Sequence, residues 1–108
     1  MGLTKTSQFT DEQNELAAMA KALGHPARIA ILQYLSTQNS CVCGSIVDEI
    51  GLAQATVSQH LKALKEAGLI QGTVEGVSTC YCVDTNKVSM VKNELGKLLS
   101  SCCAPNCC

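Results

Sequence analysis

Glycine and proline punctuate this chain so often that only short elements fit between them. Gly24 then Pro26, Gly44, Gly51, Gly68, Gly76 and Pro105 partition its 108 residues. Glycine ends helices and turns hairpins because positive φ costs it nothing. Proline fits the first turn of a helix and stops one in its interior. Thr10 and Gln13 form a capping box, with Asp11 and Glu12 in the first turn of a helix that Gly24 ends. Leu16, Met19, Ala20 and Leu23 supply its apolar stripe. Pro26 opens a second helix, to about Leu35, whose Ile29, Ile31, Leu32 and Leu35 make it apolar on most sides. Ser40 to Cys43 reads as a short strand, residues 45–50 as a third helix stopped by Gly51, and Ala53 to Ala67 as a fourth. Leu69–Glu75 and Val77–Val83 read as a hairpin turning near Gly76, and about Lys87 to Ser101 as a last helix.

That order predicts an α+β, mostly α fold: a winged helix-turn-helix of five helices, a hairpin wing and a short strand before the third helix. The expected organisation is a flexible N-terminus over 1–9, a DNA-binding and dimerisation domain over 10–101, and a cysteine-rich tail over 102–108. With 46% hydrophobic residues but only 3% aromatic, the core must be aliphatic, and an apolar face left over favours a homodimer. No apolar run reaches the roughly 18 residues that span a membrane, and no signal pattern opens the chain, so a cytoplasmic protein without a membrane partner is expected. No nucleophile–base pair, phosphate loop or organic-cofactor motif appears, and an enzyme is not expected.

The eight cysteines fall as four close pairs: Cys41/Cys43, Cys80/Cys82, Cys102/Cys103 and Cys107/Cys108. Thiolates are ligands for soft metals, and cytosolic thiols stay reduced, so metal, metalloid or redox chemistry is the better reading than a disulfide framework. In a winged helix the strand before the third helix pairs with the second strand of the hairpin. Alternate residues of a strand share a face, so Cys41, Cys43, Cys80 and Cys82 converge if the register agrees. A second candidate set is Cys102, Cys103, Cys107 and Cys108, either as a capture tail or as a site at a dimer seam.

Val57, Leu61 and Leu64 of the fourth helix face inward, and Ser58, Gln59, Lys62, Lys65 and Glu66 form the opposite stripe. The slight acidity of the whole chain, net charge −1, does not by itself point to DNA. The residues that do are Gly24-His25-Pro26-Ala27-Arg28-Ile29-Ala30-Ile31-Leu32, Leu52-Ala53-Gln54-Ala55-Thr56-Val57-Ser58-Gln59-His60-Leu61-Lys62, Leu64-Lys65-Glu66-Ala67-Gly68-Leu69-Ile70 and Glu75-Gly76. Through them the chain resembles the ArsR/SmtB family of metal-sensing repressors. The resemblance implies a homodimer joined mainly by the first and last helices, which binds an inverted-repeat operator in double-stranded DNA and releases it when metal binds. Carried over position by position, it makes Gln54, Thr56, Ser58, Gln59, His60 and Lys62 DNA-facing. For His60 the alternative is a residue packed under the helix. Two departures stand out. Ala53 occupies a position where relatives often carry a serine cap, and Gln71-Gly72-Thr73-Val74-Glu75-Gly76 lacks the basic residues usual in the wing.

Cys41-Val42-Cys43 resembles the motif of the arsenic-type sensors, but Ile46 stands where a third cysteine often follows. The zinc-type pattern on the last helix is missing, because Asp84-Thr85-Asn86 has no histidine after it. Residues 1–40 contain no cysteine, unlike the cadmium-type sensors. The expected effector is As(III), Sb(III), an organoarsenical or another soft thiophilic ion. The alternatives are a redox or persulfide-sensing repressor of the same fold, and a thiol-rich metal buffer that does not bind DNA.

Overall fold

The computed structural model describes residues 8–76 and 78–103. The elements run α1 (Asp11–Leu23), α2 (Pro26–Ser36), β1 (Val42–Cys43), α3 (Ile46–Ile50), α4 (Gln54–Glu66), β2 (Ile70–Glu75), β3 (Ser78–Val83) and α5 (Thr85–Cys102). The anticipated N-terminal segment and cysteine tail lie mostly outside the described residues. No helix among these is long and apolar enough to cross a membrane.

Local chemistry explains most boundaries. Thr10 accepts from the Gln13 backbone and the Gln13 side chain accepts from the Thr10 backbone, the reciprocal pair that satisfies two free donors of α1. Gly51 and Gly68 sit at φ 79° and 82°, where α3 and α4 end in a left-handed residue. α5 starts two residues earlier than its apolar spacing indicates, because the Asp84 carboxylate caps it by accepting from the Lys87 N–H at 3.1 Å.

The sheet is antiparallel in the order β1-β3-β2, with Val42 opposite Tyr81, Cys43 opposite Cys80 and Ile70 opposite Val83. One face packs Val42 and Ile70 into a core with Ile31, Leu35, Ile46, Val57, Leu64 and Leu69. Ile31 and Leu64 are fully buried, which makes α2 and α4 the central pair. On α1, Leu16, Met19 and Leu23 of the expected stripe pack on the core together with Ala22, while Ala20 is exposed, as is Ile29 on α2. α1 packs against α2, α4 and α5.

Candidate nucleic-acid interface and sulfur ladder

α4 divides into two faces. Val57, Leu61 and Leu64 are buried, while Gln54, Thr56, Ser58, Gln59, Lys62 and Lys65 are exposed along the outer side. Its N-cap residue, Ala53, offers no side-chain bond, so the first-turn N–H groups are left without an intrachain acceptor from that side chain. An open groove of about 370 Å³ separates α4 from the sheet, and Gln54 and Ser58 face Thr79 and Tyr81 across it. Residues 70–83 contain no lysine or arginine, and the lysines of α4 are Lys62 and Lys65. Lys65 lies over Gly72: a Cβ built there would meet Lys65 Nζ at 3.4 Å and Tyr81 Cε1 at 3.2 Å.

His60 departs from the DNA-facing set. Its imidazole is 8% exposed, accepts from Arg28 Nε at Nδ1 (3.2 Å) and packs on His25 with ring centroids 4.3 Å apart. Burial, then the neighbouring His25 and Arg28, hold its pKa below the ordinary 6.5. A neutral imidazole is what the geometry requires, because a protonated ring has no lone pair left for Arg28. The packed alternative describes it. His25 also caps α2, its Nδ1 accepting from the Ala27 N–H at 3.0 Å, and Arg28 donates to the Lys21 carbonyl at the end of α1. The sequence assigned no role to His25 or Arg28. The only signal was their place in the run Gly24–Leu32, since no local pattern says that residues 25 and 60 meet.

The pairing of β1 with β3 puts Cys41 beside Cys82 and Cys43 beside Cys80, with Cα–Cα separations of 4.4 Å and 4.2 Å. Such distances are those of directly opposed, non-hydrogen-bonded pairs in an antiparallel ladder. The sequence reading takes these four as free thiolates. In the structure they are two disulfides, Cys41–Cys82 and Cys43–Cys80, because the short separation lets sulfur meet sulfur. Among the described residues, no group of three or more His, Cys, Asp or Glu side chains is arranged to hold a metal ion in this state. Cys102 and Cys103 are free and exposed at the end of α5, and Cys107 and Cys108 lie outside the described residues. The two disulfides differ in access. Each pair has one exposed member, Cys41 and Cys43, and they differ in the other: Cys82 is half-buried and Cys80 is 1% exposed. The ladder also adjoins the groove: Gly44, next to Cys43, and Tyr81, between Cys80 and Cys82, both line it.

The sequence profile of the bacterial regulatory protein arsR family matches residues 25–71. A transcriptional regulator of Methanocaldococcus jannaschii, itself uncharacterised, is 35% identical over 82 residues, covering 75% of this chain and 91% of that protein. This chain belongs to the arsR family. The regulator CmtR of Mycobacterium tuberculosis is 31% identical over 83 residues, 77% of this chain and 70% of CmtR. A homodimeric winged helix-turn-helix DNA-binding domain from Mycobacterium bovis superimposes with a TM-score of 0.67 at 22% identity, covering 94% of this chain and 90% of that one. The arsR-family protein described here is therefore a transcriptional regulator with the winged helix-turn-helix fold. Its relatives are regulators, not enzymes.

Proposed function

We propose that this regulator is a cytoplasmic, homodimeric repressor that grips an inverted-repeat operator through α4 and releases it when Cys41, Cys43, Cys80 and Cys82 change state. The observation that carries the proposal is the shared wall: the immediate neighbours of the ladder, Gly44 and Tyr81, line the groove opposite Gln54 and Ser58. A change in how β1 and β3 are tied together moves that wall. Gln54, Thr56, Ser58, Gln59 and Lys62 are the residues assigned to DNA, with glutamine suited to adenine and lysine to phosphate. The dimer reading is supported by Met90, Leu98 and Leu99, which leave α5 with an exposed apolar edge, and by the homodimeric relative. Leu98→Glu would put an unpaired charge in that seam and give a monomeric protein by sedimentation, whereas Leu95 packs partly against the protomer's own core.

In the reduced state the four sulfurs fit a thiophilic effector, As(III), Sb(III) or an organoarsenical. Three thiolates hold a trivalent metalloid and four suit a tetrahedral soft divalent ion. Cys80 or Cys82 then supplies the ligand that Ile46 does not. A second reading, thiol oxidation as the signal, is favoured by the two cross-strand disulfides. Operator mobility shifts with reduced protein separate the two. Added As(III) should release DNA, and Cys41→Ser or Cys43→Ser should abolish the response. Truncation after Ser101 should preserve it, and loss on truncation would move the site to Cys102 and Cys103. Release by oxidant but not by As(III) would leave the oxidative reading alone.

A further inference from the structure

The two sulfur pairs are not equivalent, and the difference has a shape. Cys41 and Cys82 line an open cleft of about 410 Å³ between the end of α2 and the start of α5. Leu35 and Val83 give it apolar walls, and Ser36 and Gln38 bring a hydroxyl and an amide to it. Its volume falls within the roughly 300–1,000 Å³ typical of small-molecule sites. Neither Cys43 nor Cys80 lines this cleft; Cys43 is exposed on the open surface and Cys80 is 1% exposed. Thiol–disulfide exchange depends on how the attacking thiolate reaches a sulfur, so a reagent large enough to occupy the cleft meets two unequal targets.

We propose that this cleft seats the body of a low-molecular-weight peptide thiol, and that Cys41–Cys82 is the disulfide such a thiol opens first. The proposal rests on the reading of the ladder as a thiol-responsive element. In the step, the incoming thiolate attacks one sulfur of the pair and forms a new S–S bond to it. The Cys41–Cys82 bond breaks, and its electron pair leaves on the other sulfur, which takes up a proton. No net oxidation occurs. A second thiol attacking the mixed disulfide releases the oxidised thiol dimer and leaves both cysteines reduced. The cleft thus makes Cys41/Cys82 an S-thiolation site and leaves Cys43–Cys80 as the persistent cross-link.

The test uses the full-length, oxidised protein and the tripeptide thiol glutathione, with acid quenching and peptide mapping by mass. The mixed disulfide should form on Cys41 or Cys82 at least about tenfold faster than on Cys43 or Cys80, as seating of the peptide body in the cleft requires. Ser36→Trp and, separately, Gln38→Trp fill the cleft from two sides. Each should slow glutathione about tenfold while leaving the rate with compact 2-mercaptoethanol nearly unchanged. The proposal is overturned if the oxidised protein lacks a Cys41–Cys82 disulfide, or if the adduct forms first on Cys43 or Cys80. It is also overturned if both tryptophan variants react with glutathione at the parent rate, or if both thiols slow equally. Operator affinity measured on the same samples is a separate readout. An adduct at Cys41 or Cys82 without any change in DNA binding upholds the thiolation site and removes the sensing role instead.

Discussion

Thr10, His25 and Asp84 each accept a backbone N–H at the start of α1, α2 and α5, whereas Ser45 and Ala53, at the start of α3 and α4, accept none. The framework helices are thus pinned by local side-chain chemistry, and the two helices of the helix-turn-helix are not. An uncapped start leaves N–H groups free to meet an anion such as a DNA phosphate, at the expense of local stability. α4 depends instead on burial of Val57, Leu61 and Leu64 against the core. Such packing is non-local, so whatever shifts its neighbours shifts α4. Two neighbours are poised to do so: the sulfur ladder through Tyr81, and the His25–Arg28 pair through His60.

If α4 is held by packing, removing packing should hurt it more than removing a cap hurts the framework. Leu64→Ala should cost about 2–5 kcal/mol in urea unfolding, because Leu64 is fully buried and a cavity remains. Thr10→Ala should cost only about 1 kcal/mol, the usual worth of a cap. Equal losses would erase the distinction.

Supplying the missing cap should sharpen it. Ala53 precedes α4 with a non-helical backbone, φ −59° and ψ 147°, so Ala53→Ser can bring a hydroxyl to the first turn of α4. The variant should gain about 1 kcal/mol by the same assay. No gain would mean that the start of α4 is satisfied by something else.

Acidification acts on the two regions in different windows. His60 binds a proton more weakly folded than unfolded, so its contribution is complete above the ordinary 6.5 and is lost as pH falls below 6.5 through the lowered value. Asp84 is also depressed, chiefly by the Lys87 N–H and then by Gln71, and its contribution is lost only as pH falls below the ordinary 3.8. His60→Gln keeps an acceptor for Arg28 but cannot titrate. Its thermal midpoint should therefore fall less than the parent's between neutral and mildly acidic pH. Parallel midpoint curves would remove His60 as the cause.

The smallest effect is expected at Gly72, where Lys65 and Tyr81 converge. Gly72→Ala should change stability by less than about 1 kcal/mol, since a narrower unfolded ensemble offsets the crowding. Operator affinity should nonetheless drop modestly, because the Lys65 side chain must move aside. Unchanged binding would show that Lys65 does not help to hold the operator.

Local signals sufficed for the element order. The Thr10–Gln13 box, Pro26, and the glycines at 51, 68 and 76 act within three or four residues, a range that sequence spacing reports directly. The inward set Val57, Leu61 and Leu64 was legible for the same reason, because a helix repeats its faces every 3.6 residues. So was the possibility that cysteines two apart on each of two strands share a face, since strand alternation is also local. Tertiary structure decided the rest. Whether His60 faces DNA or the core depends on where α2 lies, 32 positions away in sequence, and Arg28 and His25 draw it inward. The β1–β3 register, not the cysteine spacing, opposes Cys43 to Cys80 and sets Cys41 beside Cys82. The packing of α2 and α5 around the strand ends then leaves one sulfur pair at an open cleft, while Cys80 of the other is buried.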